Sequence, residues 1–262
     1  CLMSGEIIKM STRMTMMFEA EDLDQASPAT VSRVGMVFTE PERLGTAVLL
    51  ESWLVQEFPT ADKVRSTIRD IFNWSFPPSV WFVRSYCSMP TPVSTMEMAA
   101  SLLRLLGALL RPINCKIMTE EITHAFYCIS LYWSVGAAVD STGRGIFDNY
   151  MKRVLNGRVV GDREHEIFRS LHPAYAKTYE HPSKVACAIP DDNTTLFDYS
   201  FLVKNKKTTW TKWSDSPLVT KFKIEKGAEF SSIVVPTVST AVNFWLIDTL
   251  VINNGGHVLF TG

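Results

Sequence analysis

The chain has 262 residues, of which 46% are hydrophobic and 20% charged, a balance that supports a sizeable buried core and excludes wholesale disorder. Its 26 Lys and Arg against 27 Asp and Glu leave a net charge of -1, so no bulk field draws it to nucleic acid or to an anionic membrane. Five cysteines, at 1, 87, 115, 128 and 187, are scattered without CxxC spacing, which points to a reducing compartment rather than a disulfide framework or zinc site. The longest apolar uncharged run, residues 125–139, falls short of the ~18 residues of a membrane span, and no basic-then-apolar leader opens the chain.

The chain begins at Cys1 inside patterned sequence and stops at Thr261-Gly262, straight after a strand-like run. It is therefore expected to be a segment of a longer polypeptide. Residues 14–18 form a compact apolar run that predicts a buried strand, followed by an acidic loop with Glu19, Glu21, Asp22 and Asp24. Ser27-Pro28 predicts a helix start, because Ser caps free N–H groups and Pro at the first helical position loses nothing. Gly35 ends that short helix and residues 36–38 read as a second buried strand. Arg33 then sits at an exposed corner from which a long cationic side chain reaches outwards.

From about residue 40 to 156 the periodicity is helical. Leu44, Val48 and Leu49 share a face on a helix ending before Pro59, and Val64, Ile68, Ile71 and Phe72 recur at three- and four-residue spacing on the next. Pro77-Pro78 is expected to break that helix, with a short one following from Trp81 to Tyr86. Thr95 opens a helix carrying Met98, Leu102, Leu105, Leu106 and Leu109, closed by Arg111-Pro112. Thr119 opens an all-round apolar, buried helix reaching Val139. A last one, residues 142–155, ends on Asn156-Gly157, a left-handed cap.

Residues 158–192 hold three histidines and three prolines with no sustained period, and read as an irregular connector. Phe197, Tyr199, Phe201 and Val203 then alternate at period two before a lysine-rich turn and Trp210 to Trp213, which predicts a hairpin. Residues 230–235 suit another strand, residues 238–252 a helix, and residues 257–260 a terminal strand.

Few residues stand out as chemistry. His165, His172, His181 and Cys187 fit no common zinc spacing, so no metal site is expected. Trp210 and Trp213 beside Lys206, Lys207 and Lys212 read as a hairpin core face rather than a nucleic-acid surface. Cys87 and Cys128 read as small hydrophobes. The terminal helix, Gly-Gly turn, strand and Thr261-Gly262 form the arrangement that precedes a phosphate-binding loop, whose N–H groups wrap phosphates ahead of a Lys. On its own that ending is also an ordinary strand and turn glycine, just as Arg33 alone is an ordinary surface arginine.

Taken together, the motifs resemble one family. Residues 16–23, Met-Met-Phe-Glu-Ala-Glu-Asp-Leu, and 26–37, Ala-Ser-Pro-Ala-Thr-Val-Ser-Arg-Val-Gly-Met-Val, closely resemble the second AAA+ module of dynein heavy chains. The departures are Ala20 for valine and Val34 for cysteine. Pro90-Thr91-Pro92 leading into residues 101–106 is similar to that module's lid helix. Trp133-Ser134-Val135-Gly136 through Phe147-Asp148 looks like the family's paired helices. Phe197-Asp198-Tyr199 with Trp210 to Asp215, then Val235-Pro236-Thr237 and residues 258–262, resemble the hairpin and phosphate-loop approach of the third module. Residues 158–192 match nothing recognised.

The resemblance implies a mainly α fold with α/β pieces, a fragment of an AAA+ P-loop ATPase. Residues 1–39 would be the end of the second core, 40–157 its helical lid, 158–195 a connector, and 196–262 the start of the third core. Arg33 resembles the arginine finger offered to the ATP of the first module, a group worth about 10³–10⁵ in turnover. Thr261 and Gly262 would open the phosphate loop of the third. Ala99-Ala100 falls where many AAA+ lids carry a sensor arginine, which agrees with a second module that binds nucleotide without turning it over. The parent would use ATP and Mg2+ for minus-end-directed movement on microtubules in the axoneme of a cilium or flagellum, within the cytoplasmic cytoskeleton. Its neighbouring AAA+ modules would be partners, with intermediate and light chains bound elsewhere, and no nucleic acid or membrane. The fragment alone is expected to be inactive. The competing expectation is a free-standing, non-enzymatic helical protein-interaction domain.

Overall fold

The computed structural model describes residues 9, 11–20, 22–37, 41–115, 117–181, 183–190, 192–204, 207–222 and 235–258. Two units divide the chain, Cys1–Glu40 and Pro41–Gly262.

In the first unit, helix α1 (Pro28–Val31) is a single turn. Ser27 Oγ accepts the N–H of Thr30 at 3.2 Å and Pro28 occupies the first helical position, as the local sequence dictates. The two buried strands expected here are absent from the described residues. Residues 14–18 form no strand, Met17 is 92% exposed and Phe18 75%. Met36 and Val37 are likewise exposed, and Phe38 lies outside the described residues. A strand needs a neighbour to pair its N–H and C=O groups and to cover one face, and no described residue of this unit supplies one.

The second unit is helical. Helix α2 (Pro41–Glu57) is kinked at Gly45, whose φ is +68°. Its buried face is Leu50, Leu54 and Phe58, with Leu49 packed alongside, whereas Leu44 and Val48 are exposed. The expected face is thus corrected. Residues four apart from 50 define the inner stripe, and 48 lies about 200° around the helix from 50.

Helix α3 (Asp62–Tyr86) runs unbroken through Pro77 and Pro78, against the expectation of a break. A proline deprives the carbonyl four residues earlier of its donor. The Trp74 carbonyl, four before Pro78, instead accepts the Tyr175 hydroxyl at 2.6 Å. Ser75 and Ser79 hydroxyls donate to the carbonyls of Ile71 and Phe76 at 2.6 and 2.7 Å. Val64, Ile68, Ile71 and Phe72 are all buried, as their spacing predicts.

Helix α4 (Thr95–Leu110) starts on a capping box, with Ser94 Oγ accepting the Glu97 N–H while the Glu97 carboxylate accepts the Ser94 N–H. Helix α5 (Glu120–Tyr132), capped by Thr119, is buried on all sides but stops short of Val139, with a 3-10 turn at Gly136–Ala138. The chain turns there because Asp140 caps helix α6 (Ser141–Leu155), its Oδ1 accepting the Gly143 N–H at 2.6 Å. Gly157 closes α6 at φ +68°.

The expected irregular connector contains two helices, α7 (Arg163–Leu171) and α8 (Pro173–Thr178). They are short and α7 buries only His165 and Phe168, so no period emerges from the sequence. Aromatic contacts hold them instead: Phe168 meets Tyr175, His172 and Trp81 with ring centroids 4.8, 4.5 and 5.5 Å apart.

Strands β1 (Tyr199–Lys204) and β2 (Lys207–Lys212) form the expected antiparallel hairpin, with Phe201 opposite Trp210. Phe201 packs on Phe126 of α5, centroids 5.6 Å apart. Helix α9 (Pro217–Thr220) follows, then helix α10 (Val238–Ile247), extended by a π turn at Asp248–Ile252. The strand expected at 230–235 falls outside the described residues apart from Val235, which is exposed. His257 and Val258 form no strand, and Leu259 and Phe260 lie outside. One large core spans α2 to β1, and a small one of Trp213, Val242 and Leu246 adjoins it through Trp133 and Trp245. Among the described residues no helix is long and apolar enough to cross a membrane.

Candidate functional site

Arg33 follows α1 by two residues, and its backbone N–H donates to the Thr30 carbonyl at 3.1 Å. The capped turn therefore fixes where the side chain departs, and the residue is exposed. Its guanidinium makes no hydrogen bond or ion pair among the described residues. Thr261 and Gly262 lie outside the described residues, which include the turn leading towards them.

That turn begins at the end of the π segment. The N–H groups of Asn253, Gly255 and Gly256 donate to the carbonyls of Asp248, Val251 and Leu250 at 2.9, 2.9 and 2.7 Å. Gly255 has φ +62°, and a Cβ at Gly256 would lie 2.8 Å from the Leu250 carbonyl oxygen, so both glycines are required by geometry. The Asn254 side chain donates through Nδ2 to the Thr249 carbonyl and accepts through Oδ1 from Arg111 Nη1 at 2.9 Å. Arg111 caps the end of α4. Its Nε donates to Glu57 Oε2 at 2.9 Å, and Nη2 to the other oxygen of the same carboxylate. From sequence Arg111 reads only as a helix-closing residue, and nothing in the local pattern reveals its partners.

Two buried polar centres, whose partners the sequence does not reveal, organise the packing around α5 and α6. Asp148, 3% exposed, accepts the Tyr132 hydroxyl at 3.1 Å and the Leu196 N–H at 2.9 Å, and pairs with Lys152 at 3.1 Å. Lys152 also donates to the Thr194 carbonyl at 2.6 Å. Beside this centre a Cβ at Gly136 would lie 2.7 Å from both the Phe147 and Phe197 rings. The Trp-Ser-Val-Gly and Phe-Asp motifs are thus one packed unit joining α5, α6 and residues 194–198.

His124 is the other centre. Buried, it accepts the Ala186 N–H through Nδ1 at 2.9 Å, which assigns its proton to Nε2 when neutral. Burial lowers its pKa from the usual histidine value, opposed by Glu120 and Asp70. His165 is similarly lowered, by burial and then by Arg169, opposed by Asp162; its Nδ1 lies 3.3 Å from the Tyr150 hydroxyl. Burial raises the Cys87 thiol to about 11 and Cys128 well above its ordinary value, so neither is a thiolate nucleophile at neutral pH. Cys128 and Cys187 are buried. Trp210 packs on Phe201 as expected of a hairpin core face, whereas Trp213 lies in a 3-10 turn after β2 and is buried in the small core with Val242 and Leu246. Among the described residues no three His, Cys, Asp or Glu side chains converge as a metal site. Ala99 is fully buried in α4.

Residues 68–215 match the model of the dynein heavy chain AAA lid domain. The chain is 32% identical over 275 residues to dynein axonemal heavy chain 12 of Rattus norvegicus, a similarity covering 100% of this chain and 8% of the relative. It is 32% identical over 264 residues to dynein axonemal heavy chain 1 of Homo sapiens, covering 97% and 6%. For dynein axonemal heavy chain 3 of Homo sapiens the identity is 29% over 265 residues, covering 95% and 6%. The chain thus spans under a tenth of the length of these relatives. The matched span runs from within α3 through α6, the Asp148 centre and the hairpin, over more than half of the chain, and the chain belongs to the dynein heavy chain AAA lid family.

Proposed function

We propose that this chain is part of an axonemal dynein heavy chain, an AAA+ motor that uses ATP and Mg2+ to move towards microtubule minus ends in a cilium or flagellum. The end-to-end similarity to axonemal heavy chains is the observation that carries this. The segment runs from the late core of the second AAA+ module (1–39), through its lid (40–157) and a connector (158–195), into the third core (196–262). It holds no complete ATP site and is inactive by itself. Its partners are the neighbouring modules of the same chain, while microtubules and the intermediate and light chains bind other regions of the parent.

Within this reading Arg33 is the finger directed at the ATP of the first module, where a guanidinium neutralises charge developing on the transferred phosphate. Its exposure, with no ion pair among the described residues, suits a side chain whose partner is in another module. Thr261 and Gly262 open the phosphate loop of the third module. Arg33→Ala in the full-length motor is expected to lower ATP turnover by about 10³–10⁵ while nucleotide binding persists. Unchanged turnover would remove the finger assignment. Sequencing the transcript past Gly262 separates this reading from a free-standing helical interaction domain. A glycine-rich turn ending in Lys-Ser or Lys-Thr supports the motor; a stop codon supports the interaction domain.

A further inference from the structure

We propose that Arg111 is a positioning residue for the phosphate loop assigned above to Gly262. It ties the turn at residues 253–256, which leads into that loop, to the C-terminal ends of α2 and α4. The proposal rests on the phosphate-loop reading and adds a physical link between the lid and that site.

The guanidinium is held at three points. Glu57, the last residue of α2, takes two of its N–H donors side by side, a planar pairing that fixes the orientation of the whole group. The remaining arm, Nη1, is thereby aimed at Asn254 Oδ1, 2.9 Å away. Asn254 cannot swing aside without losing its own bond to the Thr249 carbonyl. The cation also stands where the helix ends of α2 and α4 present free carbonyls, a favourable place for positive charge.

The turn itself has little freedom to absorb a displacement. Gly255 is in the left-handed region, and Gly256 is pressed to the Leu250 carbonyl, closer than any side chain would allow. One turn before Arg111, a Cβ at Gly107 would already lie 3.3 Å from the Trp53 ring, so α2 and α4 are in close contact where the clamp begins. A movement of these two helices must therefore either carry Asn254 with it or break the Arg111 bond. A phosphate loop works by aiming backbone N–H groups at phosphate oxygens, and it is sensitive to displacement of the chain that delivers it.

The test uses the full-length heavy chain titrated with a fluorescent ATP analogue, with sites counted at saturation. Gly262→Val is expected to remove one bound nucleotide per chain. An unchanged count overturns the phosphate-loop reading and this proposal with it. Arg111→Ala is expected to weaken that same site about tenfold, the scale of one lost charge-assisted hydrogen bond, without altering the other sites. Asn254→Ala leaves the Glu57 pair intact and should give the same loss, and the double variant should be no worse than either alone. Asn254→Asp keeps an oxygen facing Arg111 but sets an acceptor against the Thr249 carbonyl, so it should recover only part of the affinity that Asn254→Ala loses. If Gly262→Val lowers the count while Arg111→Ala and Asn254→Ala leave that site's affinity unchanged, the coupling is overturned and the phosphate loop stands. Equal weakening of every site would also overturn it, because that marks general destabilisation.

Discussion

Residues 14–18 and the helix Glu120–Tyr132 are both strongly apolar, yet the first is exposed and the second is buried on all sides. The difference lies in what each backbone needs. A helix satisfies most of its N–H and C=O groups internally, so apolar neighbours suffice to bury it. A strand leaves every such group for a partner, and without one it gains nothing by leaving water. Apolar sequence therefore predicts burial in a helix far more safely than in a strand.

Substitutions in the two regions put this contrast to the test, and urea unfolding of the 262-residue chain provides the measure. Asp148→Ala should be the most damaging, by about 3–5 kcal/mol, because it strands the Lys152 ammonium in the interior with the Tyr132 hydroxyl and Leu196 N–H. Gly136→Ala should follow at about 1–3 kcal/mol, since the added methyl meets the Phe147 and Phe197 rings. Tyr175→Phe should cost about 1 kcal/mol, leaving the Trp74 carbonyl beside Pro78 without its donor. An undiminished midpoint there would mean that the proline-containing helix does not depend on α8.

Acidification should have a milder effect. His124 and His165 have pKa values lowered in the folded state, so below the unfolded value of about 6.5 the unfolded chain takes up protons that the native chain refuses. Stability from these groups is full above that pH and falls as the pH drops through the native values. His124→Gln should flatten the decline measured between neutral and mildly acidic pH. Smallest of all, Met17→Ser should change stability by less than about 0.5 kcal/mol. A loss of more than 1 kcal/mol at this exposed site would break the contrast between the two regions.

Much of the helical body was legible because its signals are local. Ser27-Pro28, Thr119 and Asn156-Gly157 act on N–H or C=O groups within a few residues; the first two start a helix and the last ends one where expected. The stripe of Val64, Ile68 and Ile71 was legible for a similar reason, since one face repeats at a fixed period. Helix α7 escaped notice because it buries only two residues. The survival of α3 across Pro77-Pro78 escaped because its compensation comes from Tyr175, 101 residues away from Trp74.

The candidate site divides in the same way. The position of Arg33 after a capped turn follows from its neighbours, and the strained Gly255-Gly256 turn follows from the glycines themselves. The clamp on Asn254 comes from Arg111, 143 residues earlier, and no spacing rule reaches that far. Local sequence was enough for the caps, for several helix starts and for the family motifs, because these depend on backbone groups close in the chain. Which face of α2 is covered, how a double proline is tolerated and what holds the turn were visible only in the folded chain. Those depend on groups brought together by packing, where an unpaired donor or acceptor is costly and a partner can come from anywhere in the chain.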